Sequence, residues 1–196
     1  MIKANITSAY PAHMEACAYS NESLYVADYT KQTRASAIKR GVEIFQGAAP
    51  RDIAYFTLQN NVRLLNGFII FNNASFTRPD GRARSQCECV VFPEASDANS
   101  WIFFIELKYG AEPCNNNKNL RQAIMQLYKT RAYYYLSEVF LKTNTCYLLA
   151  SLPIQAEPFA QAIITQPALL RLKRKHNVVL RLQNHAEVQD DKVIVV

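Results

Sequence analysis

The chain has 196 residues, of which 49% are hydrophobic and 19% are charged, and its formal net charge is +6. This length and composition are typical of one globular domain with a sizeable core, so we expect a single domain over residues 1–196. No apolar run reaches the roughly 18 residues that a membrane-spanning helix needs. The modest positive charge permits a polyanionic partner but does not establish one.

The cysteines are odd in number and scattered, and none forms a Cys-x-x-Cys pair. They are Cys17, Cys87, Cys89, Cys114 and Cys146. This pattern predicts reduced thiols rather than a disulfide framework or a zinc site. The first residues also lack the apolar centre of a signal peptide. Together these features favour a cytoplasmic protein.

Taken in chain order, the first periodic segment covers residues 28–46, whose apolar side chains recur at helical spacing and predict a helix. A second helix is predicted to start near residue 50, although residues 53–58 also fit a strand. Residues 67–71 are predicted to form a strand, and a turn follows at residues 79–81.

Two further strands are predicted at residues 86–92 and 102–108, joined by a polar connection of the kind that closes a hairpin. A long helix over about residues 118–142 and a strand over residues 146–150 follow. A helical crossover of this length produces parallel neighbours. The chain then ends with a helix over about residues 158–175, for which Pro167 is a candidate break, and strands at residues 178–182 and 193–196. The order α-β-β-β-α-β predicts an α/β fold with a mixed central sheet flanked by helices.

The predicted hairpin brings two acidic residues together. If its turn is centred on Asp97, Glu88 and Glu106 face each other across the two strands, with side chains about 5 Å apart. Lys108 points to the same face as Glu106, because side chains alternate along a strand. Two carboxylates with a lysine beside them predict a site for Mg²⁺ or Mn²⁺.

The strand that carries Glu106 is apolar on both faces, which is typical of a strand covered on both sides. Like charges placed opposite each other destabilise a sheet, and a buried unpaired charge costs several kcal/mol or shifts its pKa. A bound divalent cation removes both costs. The alternative interpretation is a Glu106–Lys108 surface pair at a strand end, with Glu88 in water.

These residues resemble the PD-(D/E)XK nuclease superfamily, which shares a restriction endonuclease-like core. The resemblance covers about residues 31–152 and leaves a C-terminal helix and strands in residues 153–196. It rests on an acid before a turn, a Glu-x-Lys at the end of the next strand and a helix after it. It implies a metal-dependent nuclease that hydrolyses phosphodiester bonds, in DNA more than in RNA, with Glu88 and Glu106 as its acids and Lys108 as its lysine.

The resemblance assigns further roles. Gln126 matches a glutamine of RecB-like members and would steady the lysine or the attacking water; a solvated helix residue is the alternative. The carbonyl of Leu107 would be a further metal ligand, and Glu43 takes the place of an acid on the first helix. Thr130 stands where a tyrosine is expected, and Glu88 stands where aspartate is commoner. A catalytically inactive nuclease-fold protein that binds nucleic acid or protein is therefore the second hypothesis.

Basic residues suggest where a nucleic acid would lie. Arg78, Arg82 and Arg84 precede the Glu88 strand and suit phosphate contacts. Residues 171–175 form the densest basic cluster, with the preference of basic side chains for a helix C-terminus as its alternative. The resemblance also implies a homodimer as a working form. A third hypothesis is an immunity-like protein that binds a protein partner through its surface. No glycine-rich phosphate-binding motif occurs, so nucleotide-driven activity is not expected.

Overall fold

The computed structural model describes residues 1–110, 112–159 and 163–196. The described chain is α/β: helices cover one face of a six-stranded mixed sheet, and a five-stranded mixed sheet covers the other face. The general α/β class and the mixed sheet expected from the sequence are therefore confirmed. The second sheet was not predicted.

Four α-helices and eleven strands make up the described chain. The helices are α1 (Ile2–Ala9), α2 (Pro11–Glu15), α3 (Asn116–Leu136) and α4 (Gln166–His176), and a short 3-10 turn at Pro113–Asn115 precedes α3. The strands are β1 (Ala18–Ser20), β2 (Leu24–Asp28), β3 (Val42–Gln46), β4 (Phe56–Gln59), β5 (Asn66–Ile70), β6 (Cys89–Pro93), β7 (Ile102–Leu107), β8 (Cys146–Ser151), β9 (Val178–Leu182), β10 (His185–Val188) and β11 (Ile194–Val195).

The six-stranded sheet has the order β1-β5-β6-β7-β8-β9. Its strands are antiparallel from β1 to β7 and parallel from β7 to β9. The crossover through α3 makes β8 the parallel neighbour of β7, as predicted. Every residue of β7 and β8 is buried, because both faces of these strands are covered.

Side chains along β7 alternate between two hydrophobic clusters. Ile102 and Phe104 pack in the cluster beneath the helices, whereas Phe103 and Ile105 pack against the five-stranded sheet. By the same alternation Glu106 shares the helix-covered face of Ile102 and Phe104. A carboxylate is thereby placed in an apolar layer of the protein.

The helix predicted over residues 28–46 is wrong. This stretch contains the end of β2, a loop and β3, which pairs antiparallel with β2 in the five-stranded sheet. The helical pattern required Ile38 to be buried, but this side chain is 78% exposed. The backbone of residues 42–46 is hydrogen-bonded to β2 instead of within a helix. The loop is held by Arg40, whose guanidinium lies 3.4 Å from the centroid of the Tyr29 ring.

The helix predicted to start near residue 50 is also wrong, and the alternative holds in part: residues 53–58 contribute to the strand β4. The other predicted elements are present with changed ends. The long helix ends at Leu136, six residues early, and Glu138 beyond it has a positive φ of 55°. The C-terminal helix starts at Gln166, with Pro167 in its first turn, where no N–H donor is needed. Residues 160–162 of that prediction lie outside the described residues. The predicted strands β9 and β11 are confirmed, whereas β10 was missed.

The five cysteines are free thiols, and only Cys114 is exposed while Cys17 is half-buried. In the part of the chain that the structure describes, no helix combines the length and the apolar character needed to cross a bilayer.

Candidate active site

The β6–β7 hairpin has the predicted register. Cys89 pairs with Ile105, Val90 with Phe104 and Val91 with Phe103. The ladder ends just before Glu88, whose N–H donates a hydrogen bond of 3.1 Å to the carbonyl of Ile105. Glu88 therefore lies at the end of the hairpin, next to the strand position of Glu106, rather than in a regular ladder pair with it.

Glu106 is a fully buried carboxylate with 0% exposure. Its Oε1 lies 2.5 Å from Nζ of Lys108, whose side chain is 19% exposed. Its Oε2 is also buried and has no hydrogen-bond partner among the described residues. Burial, and then the charge of Glu88, raise the pKa of Glu106 well above its usual value, and Lys108 opposes this shift. The surface-pair interpretation of Glu106 and Lys108 is therefore wrong.

Glu88 is half-buried and lines a cleft of about 580 Å³, which we call the acidic cleft. Thr30, Asn72, Arg84 and Gln126 also line this cleft. Burial raises the pKa of Glu88 to about 7, with a further increase from the charge of a third acid, Asp28. The Glu88 carboxyl therefore changes its charge near neutral pH.

Asp28 is the acid that sequence reasoning missed. It ends β2, its Oδ1 accepts a hydrogen bond of 2.8 Å from the N–H of Thr30, and its own N–H donates to Oη of Tyr109. Its charge raises the pKa of both Glu88 and Glu106. An acid at the end of the short, mainly apolar segment that forms β2 was the signal that could have found it.

Glu43, the predicted additional acid, has a different partner. Its two carboxylate oxygens accept hydrogen bonds of 2.7 and 2.6 Å from the guanidinium of Arg40. This ion pair holds the pKa of Glu43 below its usual value. The charge of Glu43 is not among those that shift the pKa of Glu88 or Glu106, whereas the charge of Asp28 raises both pKa values.

Three side chains on one face of α3 bind the backbone that leads into Glu88. Nε2 of Gln126 donates to the carbonyl of Gln86 at 2.7 Å, Oγ1 of Thr130 accepts from the N–H of Cys87 at 2.7 Å, and Oη of Tyr133 donates to the carbonyl of Ser85 at 3.3 Å. Gln126 thus contacts the backbone before Glu88 rather than Lys108, and it is not a solvated residue. Thr130 fixes the same segment from the position where the family resemblance expected a tyrosine.

We expect Thr130→Val to destabilise the protein by about 1–2 kcal/mol, because the buried N–H of Cys87 then loses its acceptor. Urea denaturation measures this loss. Thr7→Val makes the same change at an exposed position of α1 and should cost no more than about 0.5 kcal/mol. Equal losses in the two variants would show that Thr130 does not anchor the segment.

The three predicted arginines differ in their surroundings. Arg82 is paired with Asp80 at 3.1 Å and is strongly exposed. Arg78 and Arg84 line a depression of about 530 Å³ together with Lys129, which we call the basic depression. These last three cations have no ion-pair partner within the described ranges. Arg84 also lines the acidic cleft, so it is the predicted arginine placed beside Glu88.

The second basic cluster, residues 171–175, lies on α4, and its last members occupy the final turn of that helix. Basic side chains are favoured there by the helix dipole. These residues line neither the acidic cleft nor the basic depression.

The donors at this site are those that Mg²⁺ prefers. Glu88 and Glu106 supply carboxylate oxygens, and Leu107, next in β7, supplies a carbonyl. The buried and unpartnered Oε2 of Glu106 is such a donor. Among the described residues, no group of three His, Cys, Asp or Glu side chains is arranged to hold a metal ion. Mg²⁺ needs only one or two carboxylates with waters and substrate phosphate, so the residues present fit a two-carboxylate site.

Comparison of the chain with protein-family models, with curated proteins and with solved structures finds no match. The family resemblance of the sequence therefore stays a prediction, and the arrangement of the residues themselves is what bears on function.

Proposed function

We propose that this protein is a metal-dependent nuclease that hydrolyses phosphodiester bonds, in DNA more than in RNA. The observation that carries the proposal is the fully buried Glu106, with an unpartnered oxygen and with Lys108 and Glu88 beside it. A buried carboxylate of this kind costs free energy. A divalent cation held between Glu106 and Glu88 offsets that cost.

The order of elements around the site supports a restriction endonuclease-like core. The strands β5, β6 and β7 form an antiparallel meander, and α3 leads to the parallel strand β8. Helix α1 contributes Ile2 and Ile6 to the same cluster as α3, whereas the segment predicted as the first helix is not helical. In the proposed core, α1 at the N-terminus is therefore the first helix.

Each side chain has a defined task in the proposed reaction. Glu88 and Glu106 would hold a Mg²⁺, which when bound would supply neutralisation of charge on the phosphoryl oxygens. Lys108 would orient the attacking water or stabilise the developing negative charge. Gln126 keeps the segment before Glu88 in place. Arg84, on the wall of the acidic cleft, binds a substrate phosphate.

A second candidate function is a non-catalytic binding module with the same fold. It is favoured by the complete burial of Glu106, because an ion reaches this carboxylate only if neighbouring groups move.

Calorimetric titration with Mn²⁺ and Mg²⁺, followed by cleavage assays, separates the two candidates. We expect metal binding in the millimolar range or tighter, lost in Glu88→Ala and retained in Glu94→Ala, an acid at the other end of β6 that pairs with Lys3. Plasmid, linear duplex, single-stranded DNA and RNA are the substrates. Absence of metal binding supports the binding module, and metal binding without cleavage of any substrate contradicts the nuclease.

A further inference from the structure

Three neighbouring depressions meet at one residue, Arg84. It lines the acidic cleft, the basic depression and a third depression of about 400 Å³. The third is lined by Tyr10, Phe76, Tyr133 and Leu136, and we call it the aromatic hollow. The basic depression shares Ser85 with the acidic cleft and Tyr133 with the aromatic hollow. The three depressions therefore form one continuous surface.

The basic depression suits the phosphates of a nucleic acid strand. Its cations are Arg78, Arg84 and Lys129, and none of them has an ion-pair partner in the described chain. Its one acid, Asp80, is paired with Arg82, which does not line the depression. Three cations without acidic partners in one concave surface attract a chain of phosphates.

The aromatic hollow suits the planar face of a nucleobase. The rings of Phe76 and Tyr133 have centroids 4.9 Å apart, and Tyr10 packs against Phe76 at 5.5 Å. Leu136 is 79% exposed at its edge. The Tyr133 ring is held in place, because its hydroxyl donates to the carbonyl of Ser85. The guanidinium of Arg84 lies over this ring, 5.3 Å from its centroid, so a base that stacks on Tyr133 would also lie within reach of this cation.

We infer that the substrate of the acidic cleft is a single-stranded nucleic acid, with its phosphates in the basic depression and an unpaired base against Tyr133 in the aromatic hollow. A positively charged groove combined with aromatic rings is how proteins bind single strands without reading their sequence. In a duplex the faces of the bases are stacked inside the helix, so the hollow has nothing to bind. The inference rests on the proposed function, because it takes the acidic cleft as the place of cleavage.

Fluorescence anisotropy in EDTA tests this binding without cleavage, on the full chain. The probes are a labelled 12-nucleotide thymidine strand, the same strand in a blunt duplex and an abasic strand of equal length. We expect the single strand to bind at least about tenfold tighter than the duplex and the abasic strand, since each base stacked on an aromatic ring increases the affinity by a large factor.

Two matched pairs of variants assign the contacts. Arg84→Ala should weaken single-strand binding about tenfold, and it should reduce the slope of log K against log salt concentration by about 0.7. Arg82 is paired with Asp80, so Arg82→Ala should change the affinity and this slope by less than half as much. Tyr133→Leu should reduce the preference for the thymidine strand over the abasic strand about tenfold with an unchanged salt slope. Tyr133→Phe keeps the ring and loses only the bond of its hydroxyl to Ser85, so it should retain most of the wild-type preference.

Several results would overturn the inference: a duplex bound as tightly as the single strand, no binding of either, equal effects of Arg82→Ala and Arg84→Ala, or an unchanged preference in Tyr133→Leu. None of these results decides whether the protein is a nuclease, because duplex cleavage in Mg²⁺ is measured in a separate assay. Conversely, single-strand binding with the expected variant effects and no cleavage of any substrate supports this surface and contradicts the nuclease.

Discussion

Replacing Glu106 by glutamine is expected to lower kcat by about a thousandfold or more, because a metal ligand contributes several kcal/mol to stabilisation of the transition state. Glutamine has nearly the same shape but supplies no negative charge to hold the ion. The fold should survive the change. Burial already favours the neutral form of this carboxyl, as the raised pKa of Glu106 indicates, and a neutral amide is therefore tolerated there.

Initial cleavage rates in Mg²⁺, together with urea denaturation of the same preparations, measure this prediction. Glu94→Gln is the matched control, since it makes the same chemical change at a residue outside the site. Glu94 directly follows β6, and its side chain pairs with Lys3 at 2.7 Å. Its rate should stay within about twofold of wild type. A wild-type rate in Glu106→Gln would remove Glu106 from the site. A loss of rate that only follows unfolding would show a structural role instead.

The hairpin that carries Glu106 could be predicted because its information is local. The segments of residues 86–92 and 102–108 are rich in apolar and β-branched residues and flank a polar turn, so the centre of the turn fixes the register. A register error of one residue would have moved Glu106 from the helix-covered face to the other face of the sheet. The same segment therefore specifies both the strand pairing and the position of the carboxylate.

The five-stranded sheet could not be predicted in this way, because its pairings join distant segments. The strand β4 lies between β2 and β10, and its partner in β10 is more than 120 residues away in sequence, as in the pair of Thr57 with His185. Short strands of four or five residues carry weak periodicity, and residues 42–46 also fit a helical pattern. Missing β2 meant missing Asp28, which only this second sheet brings to the site.

The burial of Glu88 predicts a distinctive dependence of stability on pH. Its pKa is raised from a usual value of 4.5 to about 7 in the folded protein. Between these values the folded protein binds a proton that the unfolded chain does not bind, so the contribution of Glu88 to the free energy of unfolding falls as the pH rises from 4.5 to 7. Above pH 7 the full cost of the buried charge is present.

Glu88→Gln should therefore stabilise the apo protein at pH 8, by roughly 1–3 kcal/mol, and have little effect at pH 4.5. The same variant should lose turnover, because the amide replaces a carboxylate that holds the ion. Urea denaturation at the two pH values measures the first effect, and cleavage rates measure the second. Equal destabilisation at both pH values would contradict the raised pKa of Glu88.

The metal affinity of the wild type should rise with pH, whereas the contribution of Glu88 to stability falls, because the ion competes with the proton on Glu88. The affinity for Mn²⁺ should increase as the pH rises towards 7 and level off above it. Asp28→Asn removes the neighbouring charge that raises the pKa of Glu88, so the midpoint of this increase should move to lower pH. Calorimetric titrations between pH 5.5 and 8 measure both curves, with concentrations chosen for millimolar binding. An affinity that is independent of pH in the wild type would mean that Glu88 does not hold the ion, and a midpoint unmoved in Asp28→Asn would remove Asp28 from the electrostatics of the site.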